Sequence, residues 1–486
     1  MRLSTPLLIL HAALLTTAYD ILTPQNVTFN SSYTLPSPLI ARLNLSSAAA
    51  HNVETATRFE RSNWATGSVV TDPFYTDLPT NASTAPAGSL LKLEVFTNTS
   101  TYTIPSTLAL SRIAYQSKTL DGGLVPVSAY ILWPYHPRRG RKTVPLVSWG
   151  HGTSGNTVEC APSHIRNLWD NFKAPFALAQ AGYAVVATDY AGLGVPFYPD
   201  GSKIVHPYLA NPAAGNDVLY AAQAAQAAFP ATLSREFVVF GHSQGGGAAW
   251  AAAEQQVSAR IPGYLGSVAA APVIDNIASA RDKNSSMGLL TTALGTVSIL
   301  PEVRLSDMLT PLGEGFVNAI AEIGSCDSGF VTLLRGLSSA ADTPPKFAKD
   351  DFLRSDAADK ISALTRVGGT KFAGPMLVFH GTEDEVLDEK ATHEAARRTY
   401  ELCPDSELEY VRVQGLGHNP VMMGAQQLWM EWIDERFEKG PHKNECGGRG
   451  RCTFREYGGL TPRPLDEYQG NADYILFYAQ DDYLKS

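Results

Sequence analysis

The sequence predicts an α/β fold with a mostly parallel central sheet and helices on both faces. From about residue 111 to residue 438, short apolar runs alternate with longer helical stretches, which is typical of such a sheet. The runs are nearly continuous in apolar residues, as expected for strands that are covered on both faces. One run, 237–240, leads directly into the motif Gly-His-Ser-Gln-Gly and then into an alanine-rich helical stretch.

The strands and helices can be placed in chain order. The predicted strands are 127–132, 144–149, 183–188, 237–240, 265–270, 376–379 and 408–413. The predicted helices are 165–181, 217–228, the stretch that begins behind Ser243, and a final helix around 421–437. Gly182 and Pro230 mark the ends of the first two helices, because glycine and proline commonly terminate a helix.

The alternation of strands and helices stops between residues 272 and 367, where helical material rich in Leu, Ala and Met replaces it. Five apolar residues fall near one helical face: Leu290, Ala293, Leu294, Val297 and Leu300. Segments inserted at the carboxyl ends of the strands lie above those ends, which favours a cap over the functional site. An additional piece of core helix is the alternative, and periodicity does not separate the two.

The ends of the chain differ from this central domain, 111–438. Residues 19–110 are rich in Ser, Thr, Asn and Pro and predict an irregular N-terminal segment. Residues 439–486 predict a polar C-terminal tail. Residues 1–18 predict a signal peptide, in which Arg2 is the positive start.

The sequence favours secretion. No segment supplies about eighteen uninterrupted apolar residues, so no transmembrane anchor is predicted. The formal net charge of −9 at pH 7 argues for solubility and against a nucleic-acid partner. Triplets of the form N-x-S/T also fit export, although such triplets arise by chance in polar loops. They begin at Asn26, Asn30, Asn44, Asn81, Asn98 and Asn284.

Five cysteines fit an oxidising compartment with two disulfides and one remaining thiol. They are Cys160, Cys326, Cys403, Cys446 and Cys452. Cys446 and Cys452 bracket a flexible loop, 447–451, that could close locally. The pairing does not follow from the sequence positions alone.

Ser243 is the candidate nucleophile. A turn between a strand and a helix holds such a serine in a strained conformation and exposes its oxygen at the edge of the sheet. The flanking glycines avoid collision with the neighbouring strand or helix. The dipole of the following helix favours negative charge near this point. The motif alone is a weak signal in a chain with 40 glycines, and its setting makes it specific.

A serine hydroxyl needs a base that is oriented by a carboxylate, and in this architecture both follow the serine, carboxylate first. The loop after strand 376–379 is rich in acids, and Asp384 is predicted to be the carboxylate. Glu383 is the rival, whereas Asp388 should already lie in the following helix.

His418 is predicted to be the base. It lies in a glycine-flanked loop just after strand 408–413. A single loop histidine is usually a solvated polar residue. His418 is instead the third member of an ordered set in which each residue follows its own strand.

Negative charge that develops on a substrate oxygen needs two backbone N–H donors. The Gln244 N–H, directly after the nucleophile, is predicted to be one donor. The turn after strand 144–149 should supply the other, from Thr153 or alternatively from Gly152. A glycine-rich turn without a catalytic part is the competing interpretation.

Three histidines, His151, His242 and His380, neighbour the predicted site. Their positions are those of loop-shaping residues, and no spacing typical of metal ligands links them. We therefore predict no metal and no cofactor. The segments 189–194 and 206–209 are interpreted as turns with buried polar side chains.

These motifs together resemble the secretory lipase family of α/β-hydrolases, lipase A-like enzymes found largely in yeasts and filamentous fungi. The likeness covers roughly residues 110–437. It is carried by His151-Gly152-Thr153, Asp189-Tyr190-x-Gly192-x-Gly194, His206-Pro207-Tyr208-Leu209, Gly241-His242-Ser243-Gln244-Gly245-Gly246, His380-Gly381-Thr382-x-Asp384 and Gly417-His418.

The resemblance implies an α/β-hydrolase fold with an inserted helical cap that shapes an acyl tunnel. It also implies a Ser–Asp–His triad and the hydrolysis of esters or triacylglycerols. A disulfide between the loop after the HGT turn and the cap is implied as well, here between Cys160 and Cys326.

The sequence thus predicts a secreted serine ester hydrolase, a lipase or carboxylesterase that acts through an acyl-enzyme. Its partner is a small-molecule ester or lipid substrate, with transient contact to a lipid interface. One alternative is a tailoring hydrolase or acyltransferase on a secondary metabolite. Another is a non-catalytic binding protein on a hydrolase scaffold, although such proteins typically lack a member of the triad. Peptidase chemistry uses the same machinery.

Overall fold

One ten-stranded sheet forms the centre of the molecule, in the order β1-β2-β3-β5-β4-β6-β7-β8-β9-β10. The computed structural model describes residues 33–138, 140–169, 171–282, 287–339, 345–440 and 453–458. The strands are β1 Leu90–Glu94, β2 Ala109–Lys118, β3 Leu124–Trp133, β4 Val144–Gly150, β5 Ala184–Thr188, β6 Leu233–His242, β7 Tyr264–Ala270, β8 Met376–Gly381, β9 Leu408–Val413 and β10 Thr453–Tyr457. All neighbouring pairs from β5 to β10 are parallel, and β1, β2, β3 and β5 pair antiparallel. The predicted mostly parallel sheet is confirmed.

Helices cover both faces of this sheet. They are α1 Ser37–Leu43, α2 Ser47–Ser62, α3 Pro73–Thr76, α4 Pro175–Gln180, α5 Asn211–Ala228, α6 Gln244–Ala259, α7 Asn276–Asp282, α8 Met287–Ile299, α9 Leu305–Met308, α10 Pro311–Ile323, α11 Asp327–Ser339, α12 Asp356–Thr365, α13 Glu389–Leu402, α14 Pro420–Gly424 and α15 Gln426–Lys439. Short 3₁₀ turns connect several of them.

Two cores lie on opposite faces of the sheet because successive side chains of a strand point to opposite sides. In β6, Phe237 and Val239 belong to the core that α5 and α6 cover, and Val238 and Phe240 to the core that α4 and α15 cover. Each such fully buried side chain contributes about 1.5–3 kcal/mol to stability. The continuous apolar pattern of the strand is therefore explained by burial on both sides.

The helices between β7 and β8, α7 to α12, contribute most of a third core that is separate from the two cores on the sheet. We refer to them as the inserted helices. Leu290, Ala293 and Leu300, three of the five residues predicted to share a helical face, are buried in this core. Leu39 of α1 and Val53 of α2 belong to the same core. The N-terminal helices therefore pack on the inserted helices.

The N-terminal segment differs from the irregular structure that its composition predicts. It contains α2, a helix of 16 residues that is capped by the Ser46 side chain. The residues buried on α2 include Ala49, Val53, Ala56 and Thr57, which recur every three or four positions. The residues that show this periodicity have small side chains and lie among polar residues. The helix is therefore difficult to recognise from the sequence.

The helix predicted over 165–181 is wrong. The chain there forms a 3₁₀ turn at Asn171–Lys173 and then the short helix α4. Leu168 and Trp169 have positive φ angles of 56° and 50°, which no α-helix contains. Pro175 occupies the first turn of α4, where the missing N–H of proline has no helical acceptor in any case.

At the other end, β10 lies within the predicted tail and pairs parallel to β9 at the edge of the sheet. The remainder of the tail, and residues 1–18, lie outside the described residues.

Candidate active site

Ser243 occupies a strained turn between β6 and α6. Its φ of 61° and ψ of −118° cost a non-glycine residue about 1–3 kcal/mol. A Cβ atom on Gly241 would overlap the carbonyl oxygen of Gly245, and one on Gly245 would overlap the carbonyl oxygen of Gly150. The Ser243 N–H donates to the carbonyl of Ala270 on β7, at 3.0 Å. The turn therefore needs glycine on both sides of the serine, and β7 helps to fix it.

The imidazole of His418 joins the other two predicted residues. Its Nε2 lies 2.9 Å from Ser243 Oγ, and its Nδ1 lies 2.7 Å from Asp384 Oδ2. The three residues follow β6, β8 and β9, and the carboxyl ends of these parallel strands share one edge of the sheet. The structure thus brings the three predicted residues together in a hydrogen-bonded chain.

Asp384 is held by four donors. Its Oδ1 accepts the N–H groups of Val386 and Leu387, both at 2.8 Å. Its Oδ2 accepts from His418 Nδ1 and, at 2.9 Å, from His380 Nε2. Burial by itself raises the pKa of this carboxyl, but the hydrogen bonds from the two histidines outweigh burial and hold the pKa well below its usual value. Asp384 is therefore ionised.

The neighbouring acids have other positions. Glu383 is exposed, and the Asp388 side chain caps α13 by accepting the Lys390 N–H at 3.0 Å. Glu385 Oε2 accepts the backbone N–H of His418 at 3.1 Å. Asp384 is thus the acid that faces the His418 ring, while Glu385 holds the backbone of His418.

His242 also holds the loop of His418. Its Nε2 lies 2.8 Å from the His418 carbonyl oxygen, which can only accept, so this nitrogen carries a hydrogen. Burial, and next the charge of Lys173, lower the pKa of His242 well below its usual value. A neutral His242 therefore fixes the backbone of His418 without adding a charge beside it.

The two predicted N–H donors are Gln244, next to Ser243 in the chain, and Thr153, which lines the same cavity as Ser243. Gln244 is the first residue of α6, where helical N–H groups have no partner within the helix. Thr153 lies in the loop after β4, and its Oγ1 is 2.7 Å from Tyr208 Oη. Among the described residues, neither backbone N–H has a hydrogen-bond acceptor. Both N–H groups are therefore available to an acceptor from outside these residues, which the predicted role requires.

The turn at 189–194, one of the two segments interpreted above as structural turns, contains buried polar side chains. Asp189 accepts from the hydroxyl of Ser128 at 2.6 Å and from the N–H of Ser163 at 2.8 Å. The Tyr190 hydroxyl donates to the carbonyl of His151 at 3.0 Å. These side chains shape the loop after β4, in agreement with their interpretation as structural.

A cavity of about 600 Å³ opens over Ser243. Its lining includes Thr153 and His418, and one wall is formed by α11 through Phe330, Val331 and Leu334. These three side chains give the wall an apolar stretch, as in sites that bury a hydrocarbon chain, while Asp327 and Arg335 of the same helix also line the cavity. The cavity thus brings an apolar surface and Ser243 together.

A comparison of the sequence with known protein families identifies the family of this chain. The sequence profile of the family described as secretory lipase matches residues 174–445, more than half of the chain. The chain belongs to the secretory lipase family. The predicted family is confirmed, and membership supports a hydrolase of ester bonds.

Solved structures with a similar fold include two enzymes. The X-ray structure of Candida antarctica lipase A has a TM-score of 0.61 and 17% identity, over 86% of this chain and 95% of that chain. The rice cell wall degrading esterase LipA from Xanthomonas oryzae has a TM-score of 0.55 and 16% identity, over 73% of this chain and 100% of that chain. At these identities the likeness is one of fold, and the α/β-hydrolase architecture is confirmed.

Curated relatives match a shorter stretch of this chain. Alpha/beta hydrolase domain-containing protein 17C from Mus musculus and from Homo sapiens is 40% identical over 97 residues, 20% of this chain and 25% of the relative. The chain thus spans about a quarter of the length of these relatives.

The disulfide between Cys160 and Cys326 is confirmed, with the two Cα atoms 5.5 Å apart. It joins the loop after β4 to the residue before α11. Cys403 is buried and also disulfide-bonded. Cys446 and Cys452 lie outside the described residues.

Three of the predicted glycosylation sites, Asn44, Asn81 and Asn98, are exposed in the structure. The other three, Asn26, Asn30 and Asn284, lie outside the described residues. Glycosylation stays a prediction.

Within the described ranges, no helix has the length and apolar character needed to cross a bilayer. The same part of the chain contains no group of three or more His, Cys, Asp and Glu side chains arranged to hold a metal ion. The absence of a catalytic metal stays a prediction.

Proposed function

We propose that this protein is a secreted carboxylic ester hydrolase that works through an acyl-enzyme on Ser243. One observation carries the proposal: the hydrogen-bonded chain from Ser243 Oγ through His418 to Asp384, beside an apolar cavity. The ionised Asp384 accepts from Nδ1 and leaves Nε2 of a neutral His418 free to accept the serine proton. This is the arrangement that activates a serine hydroxyl.

In the first half-reaction Ser243 Oγ attacks the ester carbonyl carbon while His418 Nε2 takes the serine proton. The backbone N–H groups of Thr153 and Gln244 donate to the oxyanion that forms, and Asp384 stabilises the imidazolium. His418 then protonates the leaving alcohol as the carbon–oxygen bond of the ester breaks. The product is an ester between the acyl group and Ser243.

In the second half-reaction water replaces the alcohol. His418 takes a proton from the water as its oxygen attacks the acyl-enzyme, and the same two N–H groups stabilise the second oxyanion. His418 returns the proton to Ser243 Oγ when the acyl–serine bond breaks. The acid leaves and the resting site is restored.

The α11 wall supports an acyl group or alcohol of apolar character, which agrees with the names of the lipase and esterase of similar fold. We further infer that residues 1–18 are a signal peptide. Residues 111–438 are a hydrolase domain with a cap at about 272–367 that contains the inserted helices. The sequons and the Cys160–Cys326 disulfide support secretion. Transient contact with a lipid interface belongs to the same proposal.

Ser243→Ala tests the mechanism. We expect kcat/KM for a p-nitrophenyl butyrate substrate to fall by about 10⁴-fold or more, because no other group can form the acyl-enzyme. The variant should unfold at the temperature of the wild type or above it, since alanine removes only the hydroxyl.

Ser258→Ala is the matched control, since Ser258 is exposed near the end of the same helix α6. It should keep wild-type activity and react with a fluorophosphonate probe, whereas Ser243→Ala should not react. Turnover that persists in Ser243→Ala at the level of the control would refute the proposal.

A further inference from the structure

His380, at the end of β8, contacts the same carboxylate oxygen as His418. Its side chain has an exposed fraction of 0%. His380 Nε2 lies 2.9 Å from Asp384 Oδ2, and His380 Nδ1 lies 2.9 Å from Thr392 Oγ1 on α13. Asp384 Oδ2 thus has an imidazole on each of two sides. The proposed mechanism uses only the imidazole of His418.

The hydrogens of this group follow from the chemistry of its members. An ionised carboxylate only accepts hydrogen bonds, so Nε2 of His380 carries a hydrogen. In the neutral imidazole, Nδ1 is then an acceptor, and the Thr392 hydroxyl can donate to it. The Asp384 carboxylate thus fixes the tautomer of His380, and the Thr392 hydroxyl supports this tautomer by donating to Nδ1.

We propose that His380 is a positioning residue for the reaction, which holds the Asp384 carboxylate for His418 and takes a share of its negative charge. This inference rests on the proposed function, because it assumes the roles of Asp384 and His418 given there. Groups that orient a reacting side chain through a hydrogen bond are commonly as important as the side chain's own contacts.

The charge-sharing role predicts the direction in which the pH dependence of kcat/KM changes. Without the His380 donor, the charge of Asp384 acts on the His418 ring alone and stabilises its protonated form more strongly. His418 must be neutral to take the serine proton. The acid limb of kcat/KM should therefore move to higher pH when the donor is removed, by about 0.5–1 pH unit.

The other charged or titratable groups around this pair stay in place in every variant below. They are His242 and Lys173 on the side of His418, Glu385 in the loop, and Asp388 and Glu389 at the start of α13. A shift of the acid limb can therefore be assigned to the lost N–H.

The experiment compares His380→Met with His380→Gln. Methionine fills a similar volume without a donor, whereas the glutamine amide can place an N–H near the position of Nε2. We expect His380→Met to lower kcat about tenfold with KM unchanged within threefold, and to shift the acid limb upwards. His380→Gln should recover most of the rate and return the limb towards its wild-type position.

Thr392→Val provides a milder variant that keeps the imidazole and removes the hydroxyl that donates to its Nδ1. We expect a shift in the same direction and smaller than that of His380→Met. This variant keeps the test decisive where His380→Met fails to fold.

The outcomes separate this inference from the proposed function. The rate at which a fluorophosphonate labels Ser243 is measured against pH for each variant. If Ser243 is not labelled in the wild type, the proposed function fails. If the wild type is labelled and the variants lose only thermal stability, with the acid limb unmoved, His380 is merely structural and this inference is overturned.

Discussion

The edge of the sheet and the α11 wall of the cavity are held by different kinds of interaction. At the edge, Ser243, Asp384 and His418 are each fixed by a short loop that follows a strand. The Asp384 carboxylate, for example, accepts the N–H groups two and three residues further along the chain. Local backbone geometry thus positions Asp384, and contacts with β7 and with His242 add to it at Ser243 and His418.

The α11 wall is held in position by residues that are distant from it in the sequence. Glu60 of α2 accepts the N–H groups of Cys326 and Gly329 at the start of α11, at 3.0 and 2.9 Å. Arg61 donates to the carbonyl of Ile323, the last residue of α10, at 2.9 Å. A carboxylate at one helix N-terminus and a guanidinium at the neighbouring C-terminus match the helix dipoles, and burial raises the pKa of the Glu60 carboxyl above its usual value. The Cys160–Cys326 disulfide is a third link to the turn between α10 and α11.

The difference indicates a division of roles. The chemistry should depend on the edge alone, whereas the fit of the substrate should depend on an N-terminal helix that contributes no residue to the reaction. Variants of the two regions should therefore change different kinetic constants.

The largest expected effect is that of Asp384→Asn at the edge of the sheet. An asparagine cannot stabilise the His418 imidazolium, and kcat should fall by about 10³–10⁴-fold with little change in KM. Glu383→Gln is the matched control, since Glu383 is the exposed neighbour that the sequence left as the rival. Steady-state kinetics on p-nitrophenyl butyrate checks both. A greater loss in Glu383→Gln would show that the carboxylate has been assigned to the wrong residue.

The sequence predicts the edge well because each of its residues follows an apolar run and the order of the runs is characteristic. Ser243, Asp384 and His418 can be placed without any long-range contact. His380 is visible in the sequence only as a loop-shaping residue, because its role depends on where Asp384 and Thr392 point.

The wall could not be predicted in this way. Glu60 and Cys326 are separated by 266 residues, and nothing near Glu60 in the sequence indicates a helix end as its partner. Phe330, Val331 and Leu334 show the spacing of an apolar helix face, which is equally typical of ordinary core. Only tertiary packing decides that this face borders the cavity.

A smaller effect is expected from Glu60→Gln in the wall. The side chain keeps its size but loses its charge and one of its two acceptor oxygens, so one N–H at the start of α11 loses its partner. The free energy of unfolding in urea should fall by about 1–3 kcal/mol. KM for a long-chain p-nitrophenyl ester should rise more than KM for the acetate, with kcat within threefold of the wild type.

Glu322→Gln is the control for that variant. Glu322 lies on α10 and pairs with Arg42, and both side chains are nearly half exposed, so that its loss should cost about 0–1 kcal/mol. If Glu60→Gln changes kcat for every ester equally and leaves the KM values unchanged, the proposed division between the edge and the wall is incorrect.

The smallest effect is expected where the two regions meet, at Tyr208. Its hydroxyl is 2.7 Å from Thr153 Oγ1 and contacts the loop that carries the second proposed oxyanion donor. Burial raises the pKa of Tyr208 to about 12, so the hydroxyl stays protonated throughout an assay between pH 5 and pH 10. Tyr208→Phe should therefore lower kcat by about two- to tenfold, equally at every pH, in line with the loss of one hydrogen bond of about 0.5–1.5 kcal/mol. A pH-independent loss contrasts with the shifted acid limb expected for His380→Met. A shift in Tyr208→Phe would mean that the loop after β4 acts on His418 rather than on the oxyanion.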